Sequence, residues 1–150
     1  WFNVRETKVT KMNEYKFYDI KIGLTKSFET KINVSMMDKF LDISNDTNPL
    51  HIDGSYAKDK GFSDRVVYGL LTSSFYSTLV GVYLPGKYCL LQGIDIQFSK
   101  PVYIGDILNI SGKVSYINEA YRQIEIKAVI TNKNNKKVSK STIKVGLMDE

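Results

Sequence analysis

Residues 42 to 53 read Asp-Ile-Ser-Asn-Asp-Thr-Asn-Pro-Leu-His-Ile-Asp, which sets a carboxylate, Asp46, five residues before His51, the single histidine of the chain. A carboxylate and an imidazole so placed suit general acid–base work on one water molecule. Asp46 takes a proton from the water, while His51 fixes its orientation or moves a second proton. Pro49 gives the spacing its meaning, because its ring bars the preceding Asn48 from the α conformation and forces a turn between the two side chains. The pair is therefore expected to converge on one point. No metal is expected, since one histidine without a cysteine partner or a ligand-spaced carboxylate cluster makes too few ligands. The chain has neither standard Gly-rich phosphate loop and no serine nucleophile motif.

Short elements must hold this pair. Segment 27–34 alternates as a half-buried strand does, and Ser35-Met-Met-Asp38 then supplies a capping-box pattern for a helix. That helix should bury Met37, Phe40 and Leu41 and end before Pro49. Asp53 is placed to cap a second short helix over roughly 54–60, with Gly61 as its stop. The pair is thus expected in the connection between two short helices, a common position for chemistry. From about Val66 to Leu84 there is no proline, and Val67, Leu70, Leu71, Phe75, Leu79, Val82 and Tyr83 recur at helical spacing, which predicts one long helix. Gly69, Ser73, Ser77 and Gly81 fall every four residues, so a stripe of small residues is expected to pack against a sheet. Phe75, Tyr76, Leu79 and Tyr83 are bulky enough to close a pocket and equally suited to a core.

After Pro85-Gly86 the pattern changes to period two. It runs through Leu90, Gln92, Ile94, Ile96 and Phe98, then Leu108, Ile110 and Val114, then Ile124, Ile126, Ala128 and Ile130, and finally Val138, Ile143, Val145 and Leu147. Four such segments joined at about 100–106, 117–120 and 132–136 predict an antiparallel meander. With the first strand this makes a five-stranded sheet following one long helix, an α+β architecture.

A chain of 150 residues with 43% apolar and 25% charged content is one ordinary globular domain. No window approaches 18 consecutive apolar residues and the opening residues lack the apolar run of a secretion signal, so a cytoplasmic location and no membrane partner are expected. A single cysteine, Cys89, agrees with a reducing compartment and reads as a small core residue in an apolar strand. The net charge of +5 raises the question of nucleic acid. The lysines are scattered, however, and the densest cluster, residues 132–137, reads as a solvated hairpin tip, so no nucleic-acid partner is expected.

Four runs carry a resemblance. Asn45-Asp-Thr-Asn-Pro-Leu-His-Ile-Asp53, Val67-Tyr-Gly-Leu-Leu71, Leu84-Pro-Gly-Lys87 and Phe98-Ser-Lys-Pro-Val-Tyr-Ile-Gly-Asp106, in this order, resemble the (R)-specific enoyl-CoA hydratases of the MaoC-like dehydratase family over roughly residues 14 to 147. The resemblance implies a hotdog fold, with the sheet wrapped around one long central helix, in a single domain over 14–150. An extension over 1–13, whose origin the sequence leaves open, precedes it. It also implies addition of water to a trans-2-enoyl thioester to give an (R)-3-hydroxyacyl product, in a homodimer whose sheets join edge to edge. Asp46 is then the general base and His51 orients the same water. Gly69, at the start of the long helix, offers an unobstructed N–H to the thioester oxygen. Ser77 supports the site, with a hydrogen bond to the Asp46 carboxylate as its expected contact. Asn48, Tyr68 and Leu70 are assigned to the substrate, although by residue type Asn48 also reads as a turn residue. Coenzyme A enters as part of the substrate and no separate cofactor is needed; an acyl-carrier protein is the other carrier.

Two positions depart from the family pattern. Asn45 stands where Gly is usual, and Tyr68 where His is usual. Rival readings are a dehydratase acting on an acyl-carrier protein, a polyketide or a sugar-like metabolite, a hotdog thioesterase, and a non-catalytic binder of acyl thioesters.

Overall fold

The computed structural model describes residues 11–150, so the extension expected over 1–13 lies outside the described residues up to residue 10. Its last part is fastened to the domain: the Asn13 N–H donates to the Val82 carbonyl at 2.8 Å, and the Asn13 side-chain amide donates to that of Tyr83 at 2.8 Å. The elements run β1 (Thr25–Lys31), α1 (Val34–Ser44), α2 (Pro49–Ile52), α3 (Gly54–Asp59), α4 (Gly69–Thr78), β2 (Cys89–Phe98), β3 (Ile107–Asn118), β4 (Gln123–Thr131) and β5 (Lys137–Leu147).

Alternation builds the inward face of β3, β4 and β5. Leu108, Ile110 and Val114 of β3, Ile124, Ile126 and Ile130 of β4, and Ile143 and Val145 of β5 are fully sealed from solvent. Burying each contributes roughly 1.5–3 kcal/mol. All neighbours are antiparallel, in the order β1-β3-β4-β5-β2. This corrects the expected four-strand meander: only β3, β4 and β5 follow one another, while β2 crosses to the far edge and pairs with β5. Period two identifies strands and their inward faces but carries no information on which strand lies beside which.

The central helix is shorter at its start than the apolar pattern predicts. Val66 to Tyr68 are extended, with the Val66 N–H on the Leu50 carbonyl (2.9 Å) and the Val67 N–H on that of Val102 (2.8 Å); α4 begins at Gly69. It then continues through a π-helical turn, Leu79–Tyr83. The stripe of small residues does not line the sheet along its length. Ser73 is buried, but Ser77 is exposed and a side chain at Gly81 would meet nothing within 4 Å. Larger residues face the sheet: Tyr76, Leu79 and Val80 are buried, and the Tyr76 hydroxyl shares a hydrogen bond with Ser139 of β5 at 2.7 Å. Leu79 comes so close that a Cβ on Gly112 of β3 would lie 2.7 Å from it. Tyr83 stacks on Phe28 of β1 at 4.8 Å between ring centroids. The bulky helix residues Tyr76 and Leu79 thus belong to the core.

The first helix is capped by Asn33, whose side chain accepts from the Met36 N–H at 2.9 Å, and not by the Ser35 pattern. Asn is as good a cap as Ser, and here it stands two residues earlier. Met37 is buried and Phe40 and Leu41 are half-buried. The helix ends at Asn45 in the left-handed conformation, φ 54°. Gly is the favoured residue in that conformation and Asn, with its short polar side chain, is the common substitute.

Candidate active site

His51 is more firmly placed than any other member of the expected site. Asn48 adopts φ −55° and ψ 127°, as a residue before proline must, and its side chain accepts from the Leu50 N–H at 3.0 Å, capping the four-residue helix α2. His51 therefore lies within α2, one turn on, and not in an open connection. Its Nδ1 is 2.7 Å from the Val66 carbonyl oxygen. A carbonyl can only accept, so Nδ1 carries the proton and Nε2 is the free nitrogen, an acceptor when the ring is neutral and a donor when it is charged.

The imidazole lines a pocket of about 290 Å³ together with Gly69, Thr72, Phe98, Lys100 and Val138. The pocket lies between the start of α4 and the end of β2. Its walls are mainly apolar, with Val66, Val67, Val102 and Phe62 completing them. Tyr68 precedes α4 and provides no side-chain cap, so the Gly69 and Leu70 N–H groups have no acceptor among the described residues. The Gly69 carbonyl accepts from the hydroxyls of Thr72 and Ser73, each at 2.8 Å. An unpaired N–H at a helix start is a hydrogen-bond donor backed by the helix dipole. A Cβ at Gly69 would sit 2.9 Å from the Phe98 ring, so glycine also keeps this wall open.

Asp46 is held differently. Its residue is exposed in the turn between α1 and α2, its N–H donates to the Ser44 hydroxyl at 3.2 Å, and its Oδ1 accepts from the Asn48 N–H at 3.1 Å. Its Oδ2 has no partner among the described residues, but Asp46 is not among the pocket walls. The structure thus joins His51 and Gly69 directly in one pocket and sets Asp46 beside them in the adjoining turn. Ser77 lies on the exposed side of α4 with no hydrogen bond to Asp46. Leu70 is 67% exposed and outside the pocket. Asn48 serves as the α2 cap, and Tyr68, 2% exposed, is a core residue; neither is among the pocket walls to which the expected substrate role would assign them. Thr72, Phe98, Lys100 and Val138 are pocket residues that sequence reasoning missed. They come from three separate elements and the loop after β2, and only Phe98 and Lys100 fall in a quoted run.

A second groove, of about 510 Å³, crosses the outer sheet face beside Lys127, Lys137 and Lys140, and contains none of the expected site residues. Among the described residues no helix is long and apolar enough to cross a membrane.

A five-stranded antiparallel sheet against a central helix, with a pocket at the helix start, defines a protein of the hotdog type, as its structural neighbours show. An R-hydratase from Pseudomonas aeruginosa in its unliganded form superposes with TM-score 0.87 at 22% identity, covering 94% of this chain and 90% of the other. The (R)-hydratase from A. caviae involved in PHA biosynthesis gives 0.81 at 26% identity, covering 85% and 97%. Residues 18–139 match the model of the MaoC like domain, and the chain belongs to that family. Among relatives, a 3-hydroxybutyryl-CoA dehydratase from Methylorubrum extorquens is 32% identical over 99 residues, 66% of this chain and 63% of that protein. An (R)-specific enoyl-CoA hydratase from Rhodospirillum rubrum is 37% identical over 90 residues, 60% and 62% respectively. A mitochondrial 3-hydroxyacyl-[acyl-carrier-protein] dehydratase from Arabidopsis thaliana is 39% identical over 67 residues, 45% and 39%. The chain thus spans about three fifths of the first two relatives' length and less of the third.

Proposed function

We propose that this chain is a hydro-lyase that adds water reversibly to a trans-2-enoyl-CoA, giving the (R)-3-hydroxyacyl-CoA. The observation that carries the reading is the imidazole of His51. Its Nδ1 is committed to Val66, so that Nε2 stays available in a pocket that also contains the first residue of α4. Water attacks C3 of the substrate while the thioester oxygen, which gains enolate character, accepts from the Gly69 N–H. Asp46 takes the proton from the water and His51 holds the water in line. C2 is then protonated by one of the pair. The (R) configuration follows the names of the relatives in Rhodospirillum and A. caviae. Lys100 at the pocket wall suits an anionic carrier, and coenzyme A is part of the substrate rather than a separate cofactor.

A homodimer is part of the proposal. The ten-residue edge strand β2 exposes Leu90, Leu91, Ile94 and Phe98 at 42–54%, whereas the other edge, β1, is mostly polar and only seven residues long. An exposed apolar edge is a template for pairing. A second copy joined at β2 would lie beside the pocket, whose wall includes Phe98 at the end of that strand. The lone cysteine suits a cytoplasmic setting.

Incubation with crotonyl-CoA, following loss of the conjugated enone absorbance alongside free thiol, tests the reaction. Loss of absorbance without thiol is the expected result; thiol release means a thioesterase, and no change removes the reading. Sedimentation at micromolar concentration should give a dimer, and a fully active 17.1 kDa monomer would remove that part. The Arabidopsis relative favours an acyl-carrier-protein thioester as the second reading, so the crotonyl group should also be presented on a carrier protein.

A further inference from the structure

Tyr68 touches both members of the proposed pair. Its hydroxyl donates to the backbone carbonyl of Asp46 at 2.8 Å, across 22 residues of sequence. Its ring lies 4.2 Å from the His51 imidazole at an interplanar angle of 31°, and 4.7 Å from the Phe40 ring at 42°. The side chain is 2% exposed, and burial, then the nearby Asp46 carboxylate, push its phenol above the ordinary range, so it remains a protonated donor. A buried phenol needs a partner, and this one finds it on the turn that presents Asp46. Nothing else that the structure shows bonds the Asp46 turn to the segment entering α4. The bonds within that turn, Asp46 N–H to Ser44 and Asn48 N–H to Asp46, are local and exposed. They shape the turn but do not orient it towards His51.

We propose that Tyr68 is a positioning residue, setting the Asp46 turn by its hydroxyl and the His51 imidazole by its ring so that the two groups face one water. The proposal rests on the reading that Asp46 and His51 activate that water. Bringing reacting groups into register is worth large rate factors, and small displacements cost correspondingly.

Tyr68→Phe keeps the ring and deletes the bond to Asp46. The expected result is a fall in kcat of about tenfold with KM nearly unchanged, since the bond acts on the alignment of Asp46 with the water and not on a contact to the substrate. In an Asp46→Asn background the same substitution should add little, because it acts through Asp46. Two further readouts need no turnover. Amide exchange at Asn48, whose N–H is held by Asp46, should accelerate in Tyr68→Phe. The His51 Cε1–H resonance, unambiguous in a chain with one histidine, should stay in place in Tyr68→Phe and move in Tyr68→Leu, which removes the ring. A Tyr68→Phe variant with parental kcat, or a loss equally large in the Asp46→Asn background, overturns the proposal. Should the parent leave enoyl thioesters untouched, the proposed reaction fails on its own. Unchanged Asn48 exchange together with an unmoved His51 resonance would then overturn the positioning role separately.

Discussion

The inward rows of β3, β4 and β5 are held mainly by apolar area, with Ile110, Ile126 and Ile143 each sealed between neighbours of the same kind and one polar contact, Tyr76 to Ser139, among them. Between residues 45 and 68 the chain has no such row. Only Ala57, Val67 and Tyr68 are buried there, and the path is set by single polar contacts: Asn48 on Leu50, Asp53 on Ser55 and Tyr56, His51 on Val66, and Tyr68 on Asp46. The sheet tolerates the loss of any one contact because its neighbours supply the same kind of energy. The connection does not, since each bond places a different group. Stability and chemistry are thereby assigned to different stretches, and substitutions should separate them.

The largest effect is expected in the connection. Asp46→Asn and His51→Ala should each lower kcat by about 10²–10⁴ while leaving KM and the melting temperature close to those of the parent. The double variant should be little worse than the poorer single one. Steady-state kinetics with thermal unfolding checks this, and modest, additive losses would show that the pair is structural.

Ile126→Ala in the sheet should cost about 2–5 kcal/mol, through lost transfer energy and the cavity left behind. Denaturant unfolding measures it. The fraction still folded should turn over normally, and an equal loss of kcat would break the separation of the two regions.

Asn48→Ala removes one cap and should cost about 1 kcal/mol. It should nevertheless lower kcat, because α2 carries His51. A variant that loses stability alone would show that α2 keeps its place without its cap.

The smallest effect concerns Cys89, at the start of β2. Burial pushes its thiol from 9.0 up to about 11. The folded protein should react slowly with iodoacetamide at pH 8, and the denatured chain faster. The sign for stability follows: any contribution from keeping the thiol neutral is intact below pH 9 and lost as pH rises towards about 11.

The same division governs what the sequence discloses. Period two locates β3 to β5 within a residue or two because most inward positions repeat one demand, and it finds β2 as well although that strand leaves Leu90, Ile94 and Phe98 exposed. The long helix was legible in its body and not at its start: Val66 and Val67 continue the apolar pattern although their N–H groups bond elsewhere, to Leu50 and Val102. Asp46, His51 and Gly69 were legible as residue types at a spacing. The proximity of His51 and Gly69 in one pocket, and the walls from Thr72, Phe98 and Val138, depend on strand order, which alternation does not encode. Tyr68 reads from the sequence as a substrate residue, yet it is buried in the core, because nothing in a tyrosine after two valines separates a rim position from a core one.

Both backbone polar groups of one residue are spent on α2: the Val66 N–H on the Leu50 carbonyl and the Val66 carbonyl on His51 Nδ1. Any fluctuation that lifts residues 61–68 away from α2 therefore releases the imidazole as well, and the ring can then turn or change tautomer. Loss of local order and loss of a competent base become a single event. The protection factor of the Val66 amide accordingly counts the fraction of molecules in which His51 is poised, and substrate should raise it by the free energy with which it favours the closed form.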